Sequence, residues 1–388
     1  MKPKSKKHVV YRRSEIRVLF DAAAKTPGAL RLEVGEPSFR TPLHIIEAAA
    51  EAARNGHTGY GPNGGLVSLR ELLKAKLQCV NGIKTSIEEI VVTPGGMNAL
   101  YSSFGVLLEP GDEVLLPTPG FPNMDEMIRL LDGKPLFYEL REQSNFQPDI
   151  EEMQSLVTSR TKVLFINSPS NPTGRIFDQG TMAALVEFAQ RNDLWLISDE
   201  VYDELVLDLA AEYVPASKFD SDGRVISIFS FSKVFAMTGW RVGYLVAERS
   251  ICDLIRAYQE PLVSCPSTIS QKGAEAALSG PRKPIDDMLS TYRLRLDLAL
   301  DTCATYGIEA FKPQGTIYML LNVGKFGASG DVDFAMSLLR SHKVSVAPGS
   351  VFGPGGKGWV RVSLAASDAT IEQGILGLSN CLQNWRSQ

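Results

Sequence analysis

Between Arg224 and Arg241 the chain carries one charged side chain, Lys233, in the run SIFSFSKVFAMTGWRVGYL (residues 227–245). A lysine is ordinarily a solvated surface residue, but a segment this apolar is expected to be buried. Burial disfavours the charged form of an amine, so such a lysine needs a partner or a chemical use. A neutral amine is both a nucleophile toward carbonyl carbon and a proton acceptor. Five other short stretches offer groups that could work with it: TPGG (93–96), PGF (119–121), NSPSNPTG (167–174), SDEVYDEL (198–205) and the SFS that leads into Lys233. They supply backbone amides at Gly95, Gly96 and Met97, an aromatic at Phe121, an amide at Asn171, and a carboxylate and phenol at Asp199 and Tyr202. Hydroxyls at Ser230 and Ser232 and a guanidinium at Arg241 complete the set.

Each has a plainer reading. Asp199 could cap a helix, Tyr202 could be a core aromatic one helical turn on, and Asn171 could be the turn residue before a proline. Phe121 could be plain core, Arg361 a surface strand residue, and a Gly–Gly turn before a helix is common. The elements bring the alternatives together. Between about residues 85 and 250, unbroken β-branched runs (EEIVVT, DEVLLPT, KVLFIN, DLWLISD, RVISIFS, RVGYLVA) alternate with helix-like stretches such as MNALYSSFGVLL and QGTMAALVEFAQRN. Runs without alternation fit strands covered on both faces, hence a mainly parallel α/β sheet. Ligands of such sheets bind beyond the carboxyl ends of the strands, and all of the stretches above lie there. Gly95–Gly96 opens a helix whose free N–H groups favour a phosphate. Together they describe a site for a flat, phosphorylated ligand. The GxGxxG fingerprint of dinucleotide folds is missing, which disfavours a nicotinamide oxidoreductase.

After SGPRKPIDD (279–287) the character changes to a long helix, Met288 to Tyr306, followed by the strands TIYMLLNV and WVRVSLAAS of a smaller α+β unit. The expected division is 41–280 as a large domain and 1–40 with 281–388 as a small one, begun by a basic arm, MKPKSKKHVVYRR. That arm lacks the apolar core of a signal peptide. The net charge of −4 argues against nucleic acid as a main partner. No apolar run is long enough to span a membrane. Five cysteines, odd in number and scattered, suit reduced thiols in a cytoplasm better than disulfides or zinc. The four histidines show no metal spacing.

SFSKVFAMTGWRVGY, NSPSNPTG, SDEVYDEL, GYGPNGGLVSLRELL, GEPSFRTP and WVRVSLA together, and in their order along the chain, resemble the fold type I pyridoxal-phosphate aminotransferases of the aspartate/aromatic/alanine group. The likeness runs from about residue 30 to beyond 365. It implies an α/β fold with a mainly parallel sheet and a smaller α+β domain, and it implies pyridoxal 5′-phosphate as cofactor. Lys233 would then bond to the cofactor aldehyde and move the substrate Cα proton. Asp199 would pair with the ring nitrogen, Tyr202 and Asn171 would hydrogen-bond the ring oxygen, and Phe121 would stack on the ring. Gly95, Gly96, Met97, Ser230, Ser232 and Arg241 would hold the phosphate. Arg361 would grip the substrate carboxylate, with Asn171 and the Gly35 backbone beside it. Tyr60 would reach the phosphate of a neighbouring subunit, making the unit a homodimer.

The implied reaction moves an amino group between an α-amino acid and a 2-oxo acid by a ping-pong course. A lyase or cyclising enzyme with the same cofactor, or a non-catalytic regulator, are the alternatives. The chain departs from the group at Met97, Phe121, Pro122 and Met124. No arginine is marked for a second substrate carboxylate: Arg40 and Arg175 are candidates by vicinity alone.

Overall fold

The computed structural model describes residues 15–327 and 330–385, so the basic segment before Glu15 lies outside the described residues. A two-residue strand, β1 (Leu30–Arg31), precedes the main sheet. That sheet has seven strands: β2 (Ile90–Thr93), β3 (Glu113–Thr118), β4 (Lys134–Glu139), β5 (Thr161–Asn167), β6 (Trp195–Asp199), β7 (Val225–Ser230) and β8 (Gly243–Val246). Their spatial order is β2-β8-β7-β6-β5-β3-β4. All pairings are parallel except the two made by β8.

Most of these strands are buried along their whole length, as their unbroken apolar runs require: β2, β3, β7 and β8 expose nothing. The two faces of the sheet feed separate apolar clusters, one around Phe104, Val114 and Ile228, the other around Leu164, Phe188 and Leu196. Covering helices follow the expected local rules. The helix Gln179–Arg191 starts where the Asp178 carboxylate accepts from Thr181 N–H, and it turns Met182, Leu185, Val186 and Phe188 onto the sheet. Each fully buried side chain of this size contributes about 1.5–3 kcal/mol.

Four further strands, β9 (Ala310–Phe311), β10 (Tyr318–Asn322), β12 (Ala347–Pro348) and β13 (Trp359–Ser363), form an antiparallel sheet in the order β12-β13-β10-β9. The remaining strand, β11 (Val344–Ser345), pairs in parallel with β1. Three details differ from the sequence reading. The long helix runs from Lys283 to Thr305, starting earlier than Met288 because Pro284 is tolerated in its first turn. Residues 201–204 form turns in place of a helical turn. The strand β4 went unread, since KPLFYE lies at the sheet edge with exposed ends and no buried run.

Candidate active site

Register puts the functional side chains in one row. Asn167 ends β5 opposite Asp199 at the end of β6, and Asp199 pairs with Ile228 of β7. Ser230, at the end of β7, pairs with Gly243 of β8, which pairs in turn with Thr93 at the end of β2. A cavity of about 380 Å³ opens over this row. Of the residues singled out in the sequence, it is lined by Gly35, Gly96, Met97, Phe121, Asn171, Asp199, Tyr202, Ser230, Ser232, Lys233, Arg241 and Arg361. Gly95 lies just behind, against Arg241. Tyr60 is elsewhere, 92% exposed on the loop after the helix Leu43–Arg54. Neither Arg40 nor Arg175 lines the cavity.

Lys233 sits in a short helix, Phe231–Val234, capped by the Ser230 hydroxyl accepting from Ser232 N–H. Its ammonium donates to the Gly35 carbonyl at 2.6 Å and stands 6.0 Å from the centre of the Tyr202 ring. Asp199 is 4% exposed, and the Val201 N–H donates to it. Burial pushes its carboxyl up to about 7; the Val201 N–H and the Lys233 charge oppose that rise without cancelling it. A side chain on Gly95 (φ +81°) would stand 2.2 Å from Arg241 Nη2, and one on Gly243 would stand 2.6 Å from Gly96 N. Only glycines let the turn, the β8 strand and the guanidinium close up this way.

Arg361 comes from β13 and is 4% exposed. It donates to Asn171 Oδ1 at 2.8 Å and to the Glu33 carbonyl at 3.0 Å, while its buried Nε has no partner. The guanidinium is 3.9 Å from the centre of the Tyr318 ring and 4.9 Å from that of Phe352. Among the described residues no carboxylate comes within 4 Å of it. Burial pulls its pKa down, against Tyr318, Tyr202 and Glu33. A buried planar cation with an unused donor calls for a carboxylate from outside.

The structure adds residues that the motifs did not mark. Asn167 accepts from Asn171 N–H at 2.7 Å and donates to the Asp199 carbonyl at 2.9 Å, so one amide ties β5, β6 and the NPTG turn. Tyr318, 2% exposed, hydrogen-bonds Tyr202 at 3.2 Å and donates to the Gly35 carbonyl at 3.3 Å. Burial raises both phenols, but Lys233 and Arg361 hold Tyr318 below its ordinary value, and Tyr202 is left well above its own. Phe20, Glu33 and Phe352 also line the cavity. Asn167 opens the NSPSNPTG stretch without being singled out in it, whereas Phe20, Glu33, Tyr318 and Phe352 come from far-apart segments whose sequence does not point to the site.

An amine, a carboxyl raised by burial, and a glycine turn closed on a guanidinium thus meet on one sheet edge. The chain belongs to the family of class I and II aminotransferases, whose pattern it matches over residues 27–376. It is 38% identical over 365 residues to the aspartate aminotransferase of Pyrococcus abyssi, covering 93% of this chain and 94% of that one. It is 35% identical to aromatic-amino-acid aminotransferase 2 of Thermococcus litoralis, again over 93% and 94% of the two chains. The structure of Thermus thermophilus aspartate aminotransferase with maleate superposes with a TM-score of 0.93, at 31% identity, covering 98% of this chain and 100% of that one. The enzyme is a pyridoxal-phosphate-dependent transaminase. Among the described residues no helix is long and apolar enough to cross a membrane.

The residues fit the cofactor on their own evidence. The glycine turn closed on Arg241 suits a phosphate, and the raised Asp199 carboxyl suits a protonated ring nitrogen, which would return it to its ordinary ionised state.

Proposed function

We propose that this enzyme moves the amino group between an α-amino acid and a 2-oxo acid in two half-reactions, with both substrates held at Arg361. The observation that carries this reading is the buried Arg361 guanidinium, which has an unused donor and no carboxylate, in the same cavity as Lys233. Gly95, Gly96, Met97, Ser230, Ser232 and Arg241 would hold the phosphate, Phe121 would cover the ring, and Tyr202 with Asn171 would serve its oxygen. When bound, pyridoxal phosphate supplies an electron-withdrawing ring that makes the substrate Cα–H acidic. The chain does the rest. Asp199 would hold a proton at the ring nitrogen, and Lys233 would hold the cofactor aldehyde and take the substrate Cα proton. Asn171 and the Gly35 backbone orient the carboxylate. Residues 41–280 would form the cofactor-holding domain, and 1–40 with 281–388 the smaller one. The five cysteines, all free, support a reducing, cytoplasmic setting.

Arg361→Ala should lower the rate of half-reactions with amino acids and with 2-oxo acids alike. The expected cost is on the order of 2–5 kcal/mol, as for a truncated partner of a buried charge pair. Arg361→Lys keeps the charge but loses the planar fork and should fall between. Cofactor content, read from absorbance, should be unchanged. Full activity of Arg361→Ala toward amino acids would overturn the carboxylate assignment.

The reading includes a homodimer with shared sites. Tyr60 stands almost wholly in solvent, and exposed Leu43 and Ile46 lie on the helix Leu43–Arg54, which packs on the helix Thr268–Ser279. Such exposed apolar groups suit a partner surface. Mixed Tyr60→Phe and Lys233→Ala chains should recover activity, because one hybrid site carries neither lesion. Hybrids that form and stay inactive would exclude a shared site.

A further inference from the structure

The end of β6 and the turn after it hold four carboxylates in six residues: Asp199, Glu200 and Asp203 are buried, and the side chain of Glu204 is 7% exposed. Only Asp199 lines the cavity, with Tyr202 beside it. Like charges packed so closely would push the turn apart unless each found an opposite charge or a donor. Glu200 accepts from the Tyr213 hydroxyl in a short hydrogen bond. Glu204 pairs with Arg282 at 2.6 Å. Asp203 accepts from Asn81 at 2.9 Å and, in a still closer contact, from Lys76.

Lys76 is the cation that touches two of the four, since its ammonium is also 3.5 Å from Glu204. It ends the helix Val67–Lys76, and its side chain is only 10% exposed. Burial alone would favour the neutral amine, but Asp203, Tyr244 and Glu204 together outweigh it and keep Lys76 charged beyond the ordinary lysine range. The ammonium also stands 5.1 Å from the centre of the Phe229 ring. Phe229 immediately precedes Ser230 on β7, the strand that delivers Lys233. One buried cation therefore backs both arms of the site, the turn carrying Asp199 and Tyr202 and the strand leading to Lys233. Nothing in the chemistry assigned above uses it.

We propose that Lys76 and Asp203 are positioning residues that hold the Asp199–Tyr202 turn under the cofactor and set the local charge felt at Lys233. This rests on the cofactor reading given above. The groups facing the pair are Glu204 and Glu200 on the turn, Asn81, Tyr244 on β8, Tyr213 and Arg282. Those facing Lys233 are the Gly35 carbonyl, Tyr202, Tyr318 and Asp199, with Arg361 across the same cavity. All are unchanged in the variants below, so Lys76→Met and Asp203→Asn each alter one charge.

The readout is the pH midpoint of the absorbance change of pyridoxal phosphate bound to Lys233, in the purified holoenzyme without substrate. Lys76→Met leaves excess negative charge behind the site, which favours the protonated form of the bound nitrogen. Its midpoint should rise by on the order of half a pH unit or more. Asp203→Asn leaves excess positive charge, and its midpoint should fall by a similar amount. The double variant should return toward the parent, and Lys76→Arg should match it. With an amino acid that the parent converts, the half-reaction of Lys76→Met should slow on the order of tenfold to a hundredfold through misplacement of the turn. A merely structural pair would lower the melting temperature and leave the midpoint alone. Unmoved midpoints, or two single variants shifting in the same direction, would overturn the proposal. If Lys76→Met does not fold, the Asp203→Asn midpoint decides it. If the parent itself shows no titrating band from a lysine-bound cofactor, the cofactor reading fails instead.

Discussion

Two buried carboxylates stand at opposite ends of one sheet, and the chain treats them in opposite ways. Glu113 opens β3 at the amino end and is fully buried. It accepts from Lys134 at 2.9 Å, Arg160 at 3.2 Å and Thr158 at 2.5 Å. Burial pushes it up, but these donors outweigh burial and hold it down to about 2. Asp199 closes β6 at the carboxyl end, accepts one backbone N–H, and is pushed up to about 7. Partners that fold with the chain complete the first. The second lacks its cation until a ligand brings one. Arg361, with its unused Nε and no carboxylate, has the same character with the sign reversed. A second cavity of about 330 Å³ adjoins the first and is lined by no cation. What marks the site is a raised buried acid and an incompletely paired buried guanidinium in one cavity, for Glu200 is also pushed up to about 7 by burial but lies outside it.

The widest separation should appear in activity. In the proposed role Asp199 holds the ring nitrogen protonated, so Asp199→Asn should slow half-reactions at least on the order of 10²–10³-fold, as when a preorganised electrostatic partner is lost. The cofactor-free protein should respond the other way. A carboxyl raised from its ordinary 3.8 to about 7 withdraws stability as pH rises through that window, because the folded state holds the proton more tightly. By pH 8 the cost is on the order of 4 kcal/mol. Cofactor-free Asp199→Asn should therefore melt higher than the parent at pH 8 and alike at pH 4. A lower melting temperature at pH 8 would break the comparison, since Asp199 would then be a structural residue like Glu113.

How much of this contrast could be read from the chain depends on how each residue is held. Arg241 precedes β8 and reaches the site edge because that strand runs antiparallel, whereas Lys233, Ser230, Asp199, Tyr202 and Asn171 follow directly from strand ends, and strand ends can be found from apolar runs. Their gathering at one edge then follows from parallel topology. Tyr318 and Phe352 sandwich Arg361 by tertiary packing between distant segments, which no local pattern encodes. Lys76 is invisible for the same reason: RELLKAKLQ reads as an exposed helix end, and only the fold brings it under the SDEVYDEL turn. The antiparallel direction of β8 also escaped, because a two-sided buried strand has the same composition either way. The edge strand β4, half exposed, gave too little signal of its own.

The smaller effect belongs to Glu113. Glu113→Gln keeps the shape and some hydrogen bonds but loses the charge that three donors share. Lys134 and Arg160 are both more than half exposed, which screens their share of the attraction. A loss of about 1–3 kcal/mol in unfolding free energy at pH 7 is expected, read by urea titration. Activity per folded molecule should match the parent, since the residue lies at the far end of β3 from the cavity. The pH dependence distinguishes this carboxylate from Asp199. Glu113 is lowered on folding, so its contribution is present above its ordinary 4.5 and disappears as pH falls toward about 2. The gap between parent and Glu113→Gln should accordingly be constant from pH 6 to 8 and narrow in acid, while the gap for cofactor-free Asp199→Asn widens from pH 4 to 8. If the Glu113→Gln gap instead widened with rising pH across neutrality, its donors would not be satisfying it in the folded chain, and the two ends of the sheet would not differ in kind.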